Sequence, residues 1–402
     1  MKIIGLITEY NPFHNGHEYH IKQSLEETQA DAAIVIMSGD FVQRGAPAIM
    51  PKHIRAKAAL QSGASLVLEL PACYACASAE YFAHGAVATL DALNCVDAIC
   101  FGSECGDIEK LKQIAHILAD EPAEYSSILQ AYLKHGYSFP VARSMAINDY
   151  TGSEELASIL ASPNNTLGIE YLKALYRLNS PMNAFTILRK NSSYHDEDLT
   201  NIYSSASAIR KHISKQGTLN PEIITQVPDH FSQELLKVYN VRFPIEADDF
   251  SLILKYQLLR ENHSSLLRYA DMTSDLANRI MNKRNDFQTW TQFCDLLKTK
   301  ELTYSRISRV LLHILLDVRT TKDIHYARLL GFHKNDAGIL GILKKSSSIP
   351  LITKLTQLHD LNDSGLSMLN NDIYASDLYE SVVSHKFRQP FINEYKKQLC
   401  IT

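Results

Sequence analysis

The sequence predicts an α/β protein in which a parallel sheet is covered by helices on both faces and is followed by a mostly helical C-terminal part. Over the first hundred residues, short apolar runs alternate with helix-length segments, a rhythm typical of strand-helix-strand units with right-handed crossovers. After about residue 247 the pattern is helical nearly throughout. Between these parts, Gly217, Pro221, Pro228 and Pro244 punctuate a segment that we interpret as a connection.

The elements follow from the period of the apolar residues. Runs rich in Ile, Val and Leu predict buried strands at residues 2–7, 32–37, 65–70, 97–101 and 184–188. Helical spacing predicts helices at residues 17–28, 52–62, 79–93, 108–119, 123–135, 140–149, 167–178 and 204–214, and later at 252–259, 305–316 and 339–343. We therefore expect an α/β domain over residues 1–215 with a helical insertion at about 108–162, a connection over 216–246 and a helical domain over 247–402.

Composition excludes several classes of protein. With 402 residues, 46% of them hydrophobic, the chain is neither disordered nor fibrous, and its length predicts two or three domains. The net charge of -4 gives no overall nucleic-acid signature, but residues 251–402 carry +6 and the remainder -10. This asymmetry indicates either two different partners or two ordinary solvated surfaces.

The cysteines and the amino terminus indicate a cytoplasmic protein. Seven cysteines are an odd number, which favours reduced thiols. The Cys73-x-x-Cys76 pair could belong to a zinc or redox site, but without a second ligand pair we favour two small buried residues. Only six residues separate Lys2 from Glu9, too few for a signal-peptide core, and the sequence predicts no membrane span.

The motif that points most clearly to chemistry is Thr-Glu-Tyr-Asn-Pro-Phe-His-Asn-Gly-His at residues 8–17, directly after the first predicted strand. Its end opens the first helix, where exposed N–H groups attract anions. Gly16 permits close approach of the backbone, and the imidazoles of His14 and His17 can donate hydrogen bonds to phosphate oxygens. Metal binding and a purely structural pair are the alternatives, and phosphate chemistry is favoured because no cysteine or carboxylate cluster lies nearby in sequence.

These residues resemble the H-x-G-H signature of the nucleotidylyltransferase superfamily. The resemblance implies a Rossmann-like domain that binds ATP and reacts at its α-phosphate with release of pyrophosphate. Residues 204–210, Ser-Ser-Ala-Ser-Ala-Ile-Arg, resemble the Ser-Ser-x-x-x-Arg element that opens a late helix in the superfamily, and they imply phosphate contacts from Ser205 and Arg210. Alone, a serine-rich helix start is usually only a cap.

Over the first 210 residues the resemblance narrows to the bacterial tRNA(Met) cytidine acetate ligase family. Five blocks carry it in the same order: residues 9–17, residues 37–45 (Met-Ser-Gly-Asp-Phe-Val-Gln-Arg-Gly), residues 101–104 (Phe-Gly-Ser-Glu), residues 163–168 (Pro-Asn-Asn-Thr-Leu-Gly), and residues 189–196, which contain Tyr194-His195-Asp196. The family activates acetate with ATP and acetylates the wobble cytidine of elongator tRNA(Met) to N4-acetylcytidine. The partners implied are this tRNA and acetate, with Mg²⁺ on the triphosphate, without acetyl-coenzyme A and without a membrane. Whether one chain or a homo-oligomer acts stays open.

The resemblance also implies the site. His14 and His17 would be the catalytic residues. The ATP site would comprise Ile7, Thr8, Glu9, Tyr10, Asn11, Pro12, Phe13, His14, Asn15, Gly16, His17, His20, Gly102, Asn164 or Asn165, Arg189, Ser205 and Arg210. One of the two asparagines could instead cap the following helix, Gly102 could be an ordinary turn glycine, and Arg189 could form a surface ion pair.

Two positions depart from expected patterns. The family usually has Asn where this chain has Asp40, and the sequence leaves the role of that carboxylate open. Small-molecule adenylyltransferases usually have a small or hydroxyl-bearing residue where this chain has Glu9. A carboxylate at that position would disfavour a substrate that carries an additional phosphate.

The C-terminal half supplies the candidate tRNA surface. Residues 281–345 contain 12 Lys and Arg against six acidic residues, and such cations would neutralise backbone phosphates. The residues we expect to contact tRNA are Arg284, Arg306, Arg309, Lys334, Lys344 and Lys345, with Tyr304 available for stacking. Two other functions stay open from the sequence: a small-molecule adenylyltransferase of the same superfamily and a non-catalytic tRNA-binding protein.

Overall fold

The structure is a computed structural model that describes residues 1–189, 203–321, 323–356, 358 and 360–402. In the N-terminal part the elements in chain order are β1 (Ile3–Thr8), α1 (Asn15–Thr28), β2 (Ala32–Ser38), β3 (Phe41–Val42), β4 (Ala46–Pro47), α2 (Lys52–Gln61), β5 (Leu66–Leu70), α3 (Ala72–Ala75), α4 (Ala79–Ala92) and β6 (Ala98–Ser103). The helical insertion and the strand that follows comprise α5 (Ile108–Asp120), α6 (Ala123–Lys134), α7 (Phe139–Thr151), α8 (Glu154–Ile159), α9 (Pro163–Arg177) and β7 (Asn183–Leu188).

The rest of the chain is mainly helical. It comprises α10 (Ala206–Gln216), α11 (Pro221–Ile224), α12 (Asp229–Val238), α13 (Ser251–Arg260), α14 (His263–Leu266), α15 (Ser274–Lys283), α16 (Trp290–Leu297), α17 (Tyr304–Leu316), β8 (Ala327–Phe332), α18 (Gly338–Ser346), β9 (Leu351–Ile352), α19 (Asp363–Phe387) and β10 (Cys400–Ile401). None of the described helices is both long enough and apolar enough to cross a membrane.

The central sheet has the strand order β10-β8-β5-β2-β1-β6-β7. The five strands that the N-terminal part contributes to this sheet, β1, β2, β5, β6 and β7, are parallel, with Ile3 opposite Ala32 and Ile4 opposite Ala98. The chain runs outward from β1 through β2 to β5 and then returns to β6 on the other side of β1. In open parallel sheets, ligands bind at the carboxyl ends of the strands where the strand order reverses in this way. The α/β fold class predicted from the sequence is confirmed, and the fold places a crevice beyond β1 and β6.

The sequence pattern did not reveal that the C-terminal part also enters this sheet. β8 pairs antiparallel with β5, and the short strands β9 and β10 pair with β8. Likewise, the segment interpreted as a connection contains α11 and α12, whose Phe231 and Leu235 are buried. The charge of Arg328 interrupts the apolar run of β8, which obscured the strand. The division of the chain into domains stays a prediction.

A buried ionic cluster of Lys52, Glu69, Arg328 and Glu394 fastens β8 and the C-terminal segment to α2 and β5. Lys52 Nζ lies 2.7 Å from Glu69 Oε1 and 2.8 Å from Glu394 Oε1. Arg328 Nη1 lies 2.9 Å from Glu69 Oε2, and its Nη2 donates to Glu394 Oε1. The charge in β8 is thus paired on both sides, as burial of ions requires.

Candidate active site

A cavity of about 330 Å³ opens at the carboxyl end of β1 and β6. The residues on its wall that the sequence analysis had singled out come from all parts of the predicted site: Ile7, Thr8, Glu9, Tyr10, Asn11, His14, Gly16, His17, His20, Gly102, Asn164, Arg189, Ser205 and Arg210. Segments separated by almost 200 residues in the chain thus meet at the edge of the sheet that the topology favours for a ligand.

His14 and His17 form a stacked pair at the start of α1, with ring centroids 3.7 Å apart. His14 is the N-cap residue: its Nδ1 accepts a hydrogen bond from the Gly16 N–H at 3.0 Å. The His14 N–H in turn donates to His17 Nδ1 at 3.3 Å. Because a main-chain N–H can only donate, both Nδ1 atoms are unprotonated, and in each neutral ring the proton resides on Nε2. The site therefore holds two oriented Nε2–H donors.

Burial keeps these imidazoles neutral. It lowers the pKa of His14 to about 3, an effect to which the charges of Arg189 and Arg210 add. The pKa of His17 is lowered well below its ordinary value by burial, then by His14 and Arg189, and burial lowers that of His20 to about 4. A ligand anion would reverse part of this effect, since negative charge favours a protonated imidazole.

Arg189 directly follows β7 and lies beside Gly102 of β6. The Arg189 N–H donates to Ser103 O at 3.0 Å, which continues the ladder between these strands. A Cβ atom at position 102 would lie 3.3 Å from Arg189 Cγ. Glycine at position 102 therefore leaves room for the arginine side chain against the end of β6. Gly102 lies within this strand and is not the ordinary turn glycine that the sequence also allowed.

The start of α10 forms another part of the wall. Ser205 is its N-cap residue, and its hydroxyl accepts from the Ala208 N–H at 3.1 Å. Arg210, one turn into the helix, donates through Nη1 to Asn11 O and through Nη2 to Ser207 Oγ at 3.3 Å. The serine-rich segment is thus a helix cap and at the same time part of the cavity, where helix N–H groups favour an anion.

The two asparagines at the start of α9 have different environments. Asn164 lines the cavity and donates through Nδ2 to Glu104 Oε1 at 2.6 Å. Asn165 is buried, and its Oδ1 accepts from the N–H groups of Glu104 and Cys105 at 2.8 and 3.1 Å. The Glu104 carboxylate accepts from the main-chain N–H of both asparagines, so it caps α9. Asn165 anchors the loop, whereas Asn164 is the one in reach of a ligand.

Three other residues implied by the family resemblance do not reach the wall. Phe13 is fully buried and makes an edge contact with Phe231 at 6.3 Å between centroids. Asn15 donates through Nδ2 to Thr225 O at 2.8 Å, and Pro12 lies between wall residues without lining the cavity. These three residues therefore support the loop between β1 and α1 on the side away from the cavity. The block Tyr194-His195-Asp196 lies outside the described residues.

The two carboxylates that depart from expected patterns have structural partners. Asp40 is buried, and its Oδ1 accepts from the Lys52 N–H at 2.8 Å. It thereby caps α2, whose N-cap residue is Pro51 and supplies no side-chain acceptor. Glu9 does line the cavity, and its Oε1 accepts from the Gln43 N–H at 2.9 Å. Asp40 Oδ2 also lies 3.8 Å from Lys52 Nζ, so its role is structural, and an Asn at this position would keep the Oδ1 acceptor without the charge.

Sequence reasoning missed about half of the wall. The residues missed that carry polar groups are Tyr19, Gln43, Arg44, Tyr171, Tyr203, Ser204 and Ser207, and the apolar ones are Val42, Ala46, Pro47, Phe82, Phe101, Leu167, Ala206, Ile187 and Leu188. Gln43 and Arg44 belong to a block on which the resemblance already rested, so that block was the available signal. Val42, Phe101 and Leu167 also belong to such blocks, whereas the other apolar residues could not be distinguished from ordinary core residues by their pattern.

The basic residues expected to meet RNA do not share one surface. Arg306 and Arg309 lie on α17, which packs directly on the cavity loop: Ser308 Oγ donates to Gly45 O at 2.7 Å. By contrast, Lys334 follows the end of β8, which is antiparallel to β5 and so ends at the opposite edge of the sheet. Lys344 and Lys345 are also at that opposite edge, because the end of α18 contacts Ala92 and Leu93. Arg284 lies elsewhere again, in the helical part, where it donates to Glu261 O.

The described residues contain no group of three or more His, Cys, Asp or Glu that could hold a metal ion. The seven cysteines are free thiols, and Cys76 is fully buried. Burial raises the pKa of the Cys76 thiol well above its ordinary value, which makes it a poor nucleophile.

Comparisons with known proteins agree over the whole chain. The model of the HIGH Nucleotidyl Transferase family matches residues 1–393. The tRNA(Met) cytidine acetate ligase of Alkaliphilus metalliredigens is 40% identical over 404 residues, with 96% of this chain and 95% of the relative covered. The protein of the same name from Thermoanaerobacter sp. (strain X514) is 42% identical over 386 residues, with 94% and 95% covered.

Solved structures show the same similarity. The apo crystal structure of Thermotoga maritima TmcAL superposes with a TM-score of 0.92 at 31% identity, and the match covers 100% of this chain and 99% of that one. The crystal structure of the same protein bound with alpha-thio ATP has a TM-score of 0.89 at 32% identity, with 97% of each chain covered. The similarity includes the C-terminal part.

Proposed function

Because the chain belongs to the HIGH nucleotidyl transferase family and, within it, to the tRNA(Met) cytidine acetate ligases, we propose that it uses ATP to acetylate the wobble cytidine of elongator tRNA(Met), forming N4-acetylcytidine. The observation that carries this proposal is the pair His14 and His17, whose two Nε2–H donors share a cavity with Arg189 and Arg210. Such an arrangement suits a reaction at phosphorus, in which negative charge moves between oxygens.

In the first step, a carboxylate oxygen of acetate attacks the α-phosphorus of ATP, and the bond to the bridging oxygen breaks with departure of pyrophosphate. The product is acetyl-adenylate. Negative charge grows on the departing pyrophosphate, where neutral imidazoles can donate from Nε2 and the guanidinium groups of Arg189 and Arg210 supply permanent charge. Positioning and electrostatics supply the catalysis, and the chain needs no covalent nucleophile.

In the second step, the exocyclic amine of cytosine attacks the carbonyl carbon of the mixed anhydride. The new C–N bond forms, the bond to the adenylate oxygen breaks, and the amine gives up a proton as AMP departs. Activation by ATP makes acetyl-coenzyme A unnecessary as the acetyl donor.

Mg²⁺ would accompany the triphosphate. Glu9 is the one acidic side chain on the wall among the described residues, and its Oε1 already accepts from the Gln43 N–H. This donor set fits a metal ion carried by phosphate oxygens and water, as Mg²⁺ commonly is, and does not fit a cage built by the protein. The ion would supply additional positive charge to the phosphates.

We place the tRNA on the side of α17. The seam between Gly45 and α17 is so tight that a Cβ at Gly45 would lie 2.2 Å from Arg309 N. The same loop continues to Arg44 on the cavity wall. The helix α17, which carries Arg306 and the Asp271-paired Arg309, therefore packs against the loop that forms part of this wall. Under this proposal residues 1–215 form the ATP-binding catalytic domain, and residues 247–402 supply the tRNA-binding surface.

The decisive experiment is incubation of the protein with ATP, labelled acetate and total tRNA, followed by nucleoside analysis. We expect labelled N4-acetylcytidine in elongator tRNA(Met) and, in the absence of tRNA, acetate-dependent exchange of pyrophosphate into ATP. Exchange that is indifferent to acetate would contradict the ligase assignment.

A second experiment tests the surface. Replacing Arg306 and Arg309 together by Gln should weaken tRNA binding and reduce its salt dependence, because fewer phosphate contacts release fewer counterions. The matched control replaces Lys344 and Lys345 by Gln at the opposite edge of the sheet. Equal losses in both double variants would contradict the placement on α17.

A further inference from the structure

Arg55 is a fully buried cation just behind the cavity. It lies on α2, and its guanidinium donates to four main-chain carbonyls. Nε donates to Met50 O at 3.1 Å, Nη1 donates to Glu9 O at 2.6 Å and to Ser38 O at 3.0 Å, and Nη2 donates to Gly39 O. Arg55 does not itself line the cavity.

The four acceptors belong to three segments at the carboxyl edge of the sheet: the residue after β1, the end of β2 and the turn before α2. Glu9 follows the end of β1 and begins the loop that leads to His14, whereas Ser38 and Gly39 end β2 and lead to the loop of Gln43. Carbonyls that leave a sheet ladder need donors when they are buried. A planar guanidinium offers five donors in a fixed fork, which the compact ammonium of Lys cannot reproduce.

This use of a buried charge is costly. Burial of a cation requires compensating partners, and the hydrogen bonds of the guanidinium within the described residues all go to carbonyls. Lys52, on the same helix, instead has carboxylates at 2.7 and 2.8 Å. The hydrogen bonds of Arg55 therefore fix the two loops relative to each other. A hydrogen bond from the Gln43 N–H to Glu9 Oε1 also links these loops.

We propose that Arg55 is a positioning residue for the adenylation step. Its guanidinium holds the His14–His17 segment in a fixed position relative to the loop of Gln43 and Arg44. The inference rests on the proposed function. Arg189 and Arg210 reach the cavity from the end of β7 and from α10. The hydrogen bonds of Arg55 go to neither of these elements, although Arg210 also donates to Asn11 O in the loop that Arg55 holds. Loss of Arg55 should therefore reduce kcat much more than it raises the KM for ATP.

The test compares Arg55→Lys and Arg55→Gln with the wild type in acetate-dependent ATP–pyrophosphate exchange. Lys57→Gln is the matched control, since Lys57 lies on the same helix and pairs with Glu234 at the surface. Assays are run below the melting temperature of each variant, with the folded fraction measured by circular dichroism. We expect kcat to fall about a hundredfold per folded molecule, the loss associated with a displacement near 1 Å, with the KM for ATP changed less than threefold.

The proposal is overturned if either folded variant keeps kcat within threefold of the wild type, or if the KM for ATP rises as much as kcat falls. Arg55→Gln carries no charge, so it tests the geometry even where Arg55→Lys does not fold. If neither variant folds at any temperature, Arg55 is a residue of the fold and the positioning role is likewise overturned. Absence of acetate-dependent exchange in the wild type would contradict the proposed function instead.

Discussion

At the scale of single residues, the proposed mechanism depends on neutral histidines. His14 and His17 are buried beside cationic arginines, and protonation of either ring would place positive charge next to existing positive charge. Backbone contacts fix Nδ1 as the acceptor in both rings. The His14 ring therefore has two roles under this proposal: its Nδ1 caps α1, and its Nε2–H can donate to a phosphate.

Replacing His14 or His17 by Ala should therefore reduce the kcat of adenylation about 10²- to 10³-fold, the usual consequence of losing one donor to developing negative charge. Acetate-dependent pyrophosphate exchange measures this, and a tRNA-binding assay should show little change. His116→Ala is the control, since this histidine is exposed on α5. Loss of tRNA binding together with exchange would indicate misfolding and contradict a chemical role.

Neutral buried histidines also predict how stability depends on pH. The pKa values of about 3 for His14 and about 4 for His20 lie below the ordinary value of 6.5, so between these values the unfolded chain binds more protons than the folded one. The free energy of unfolding should then fall as pH decreases from about 6.5 to 4, by about 1.4 kcal/mol per pH unit for each extra proton.

Asp372 has the opposite sign. Burial, and then Glu69, raise its pKa to about 6, so its protonation stabilises the fold as pH falls below that value. Chemical denaturation at several pH values measures the sum, and His20→Gln should make the acid-side slope shallower. An unchanged slope in that variant would show that His20 does not titrate as described.

At the scale of elements, the loop that joins the short antiparallel strands β3 and β4 forms part of the cavity wall and also packs against α17. Its Gln43 and Arg44 line the cavity, and Gly45 is pressed against α17. Ser308 links this seam to the core, since it donates to Gly45 O and accepts from Trp290 Nε1–H at 3.0 Å. The helix proposed to meet tRNA and the loop in the cavity wall are therefore in direct contact.

Gly45→Ala should disturb this seam by more than its backbone cost. Gly45 has φ +75°, and a Cβ at this position would overlap Arg309. We therefore expect strain and overpacking together to lower the free energy of unfolding by about 2–4 kcal/mol. We also expect this variant to lose more acetyl transfer to tRNA than its control. Gly152→Ala is the matched control, because Gly152 has φ +67° and open space around it. Denaturant unfolding measures both, and equal free-energy losses would contradict a tight seam.

At the scale of the whole molecule, the chain is held together by the buried ionic cluster as well as by apolar packing. Glu394 lies near the C-terminus, yet its carboxylate reaches Lys52 and Arg328. These cations hold its pKa well below the ordinary range despite burial. The C-terminal segment thus completes the charge balance of a cluster that also includes residues of α2, β5 and β8.

Glu394→Gln should cost about 3–5 kcal/mol of unfolding free energy, because it leaves the two buried cations Lys52 and Arg328 to share the carboxylate of Glu69. The control is Glu155→Gln, which removes a surface pair with Lys110 and should cost less than about 1 kcal/mol. Urea denaturation compares the two variants. Similar small losses would show that water reaches the cluster.

Local pattern in the sequence determined the parallel strands, most helices and the H-x-G-H site, because apolar period and helix-start residues act over a few neighbours. The family resemblance carried the function. Only the tertiary structure decided that β8 extends the sheet, that Asn164 rather than Asn165 faces the cavity, and that Arg306 and Lys344 lie apart. Each of these depends on contacts between distant segments: the charge of Arg328 contradicts a buried strand until Glu69 and Glu394 are brought beside it.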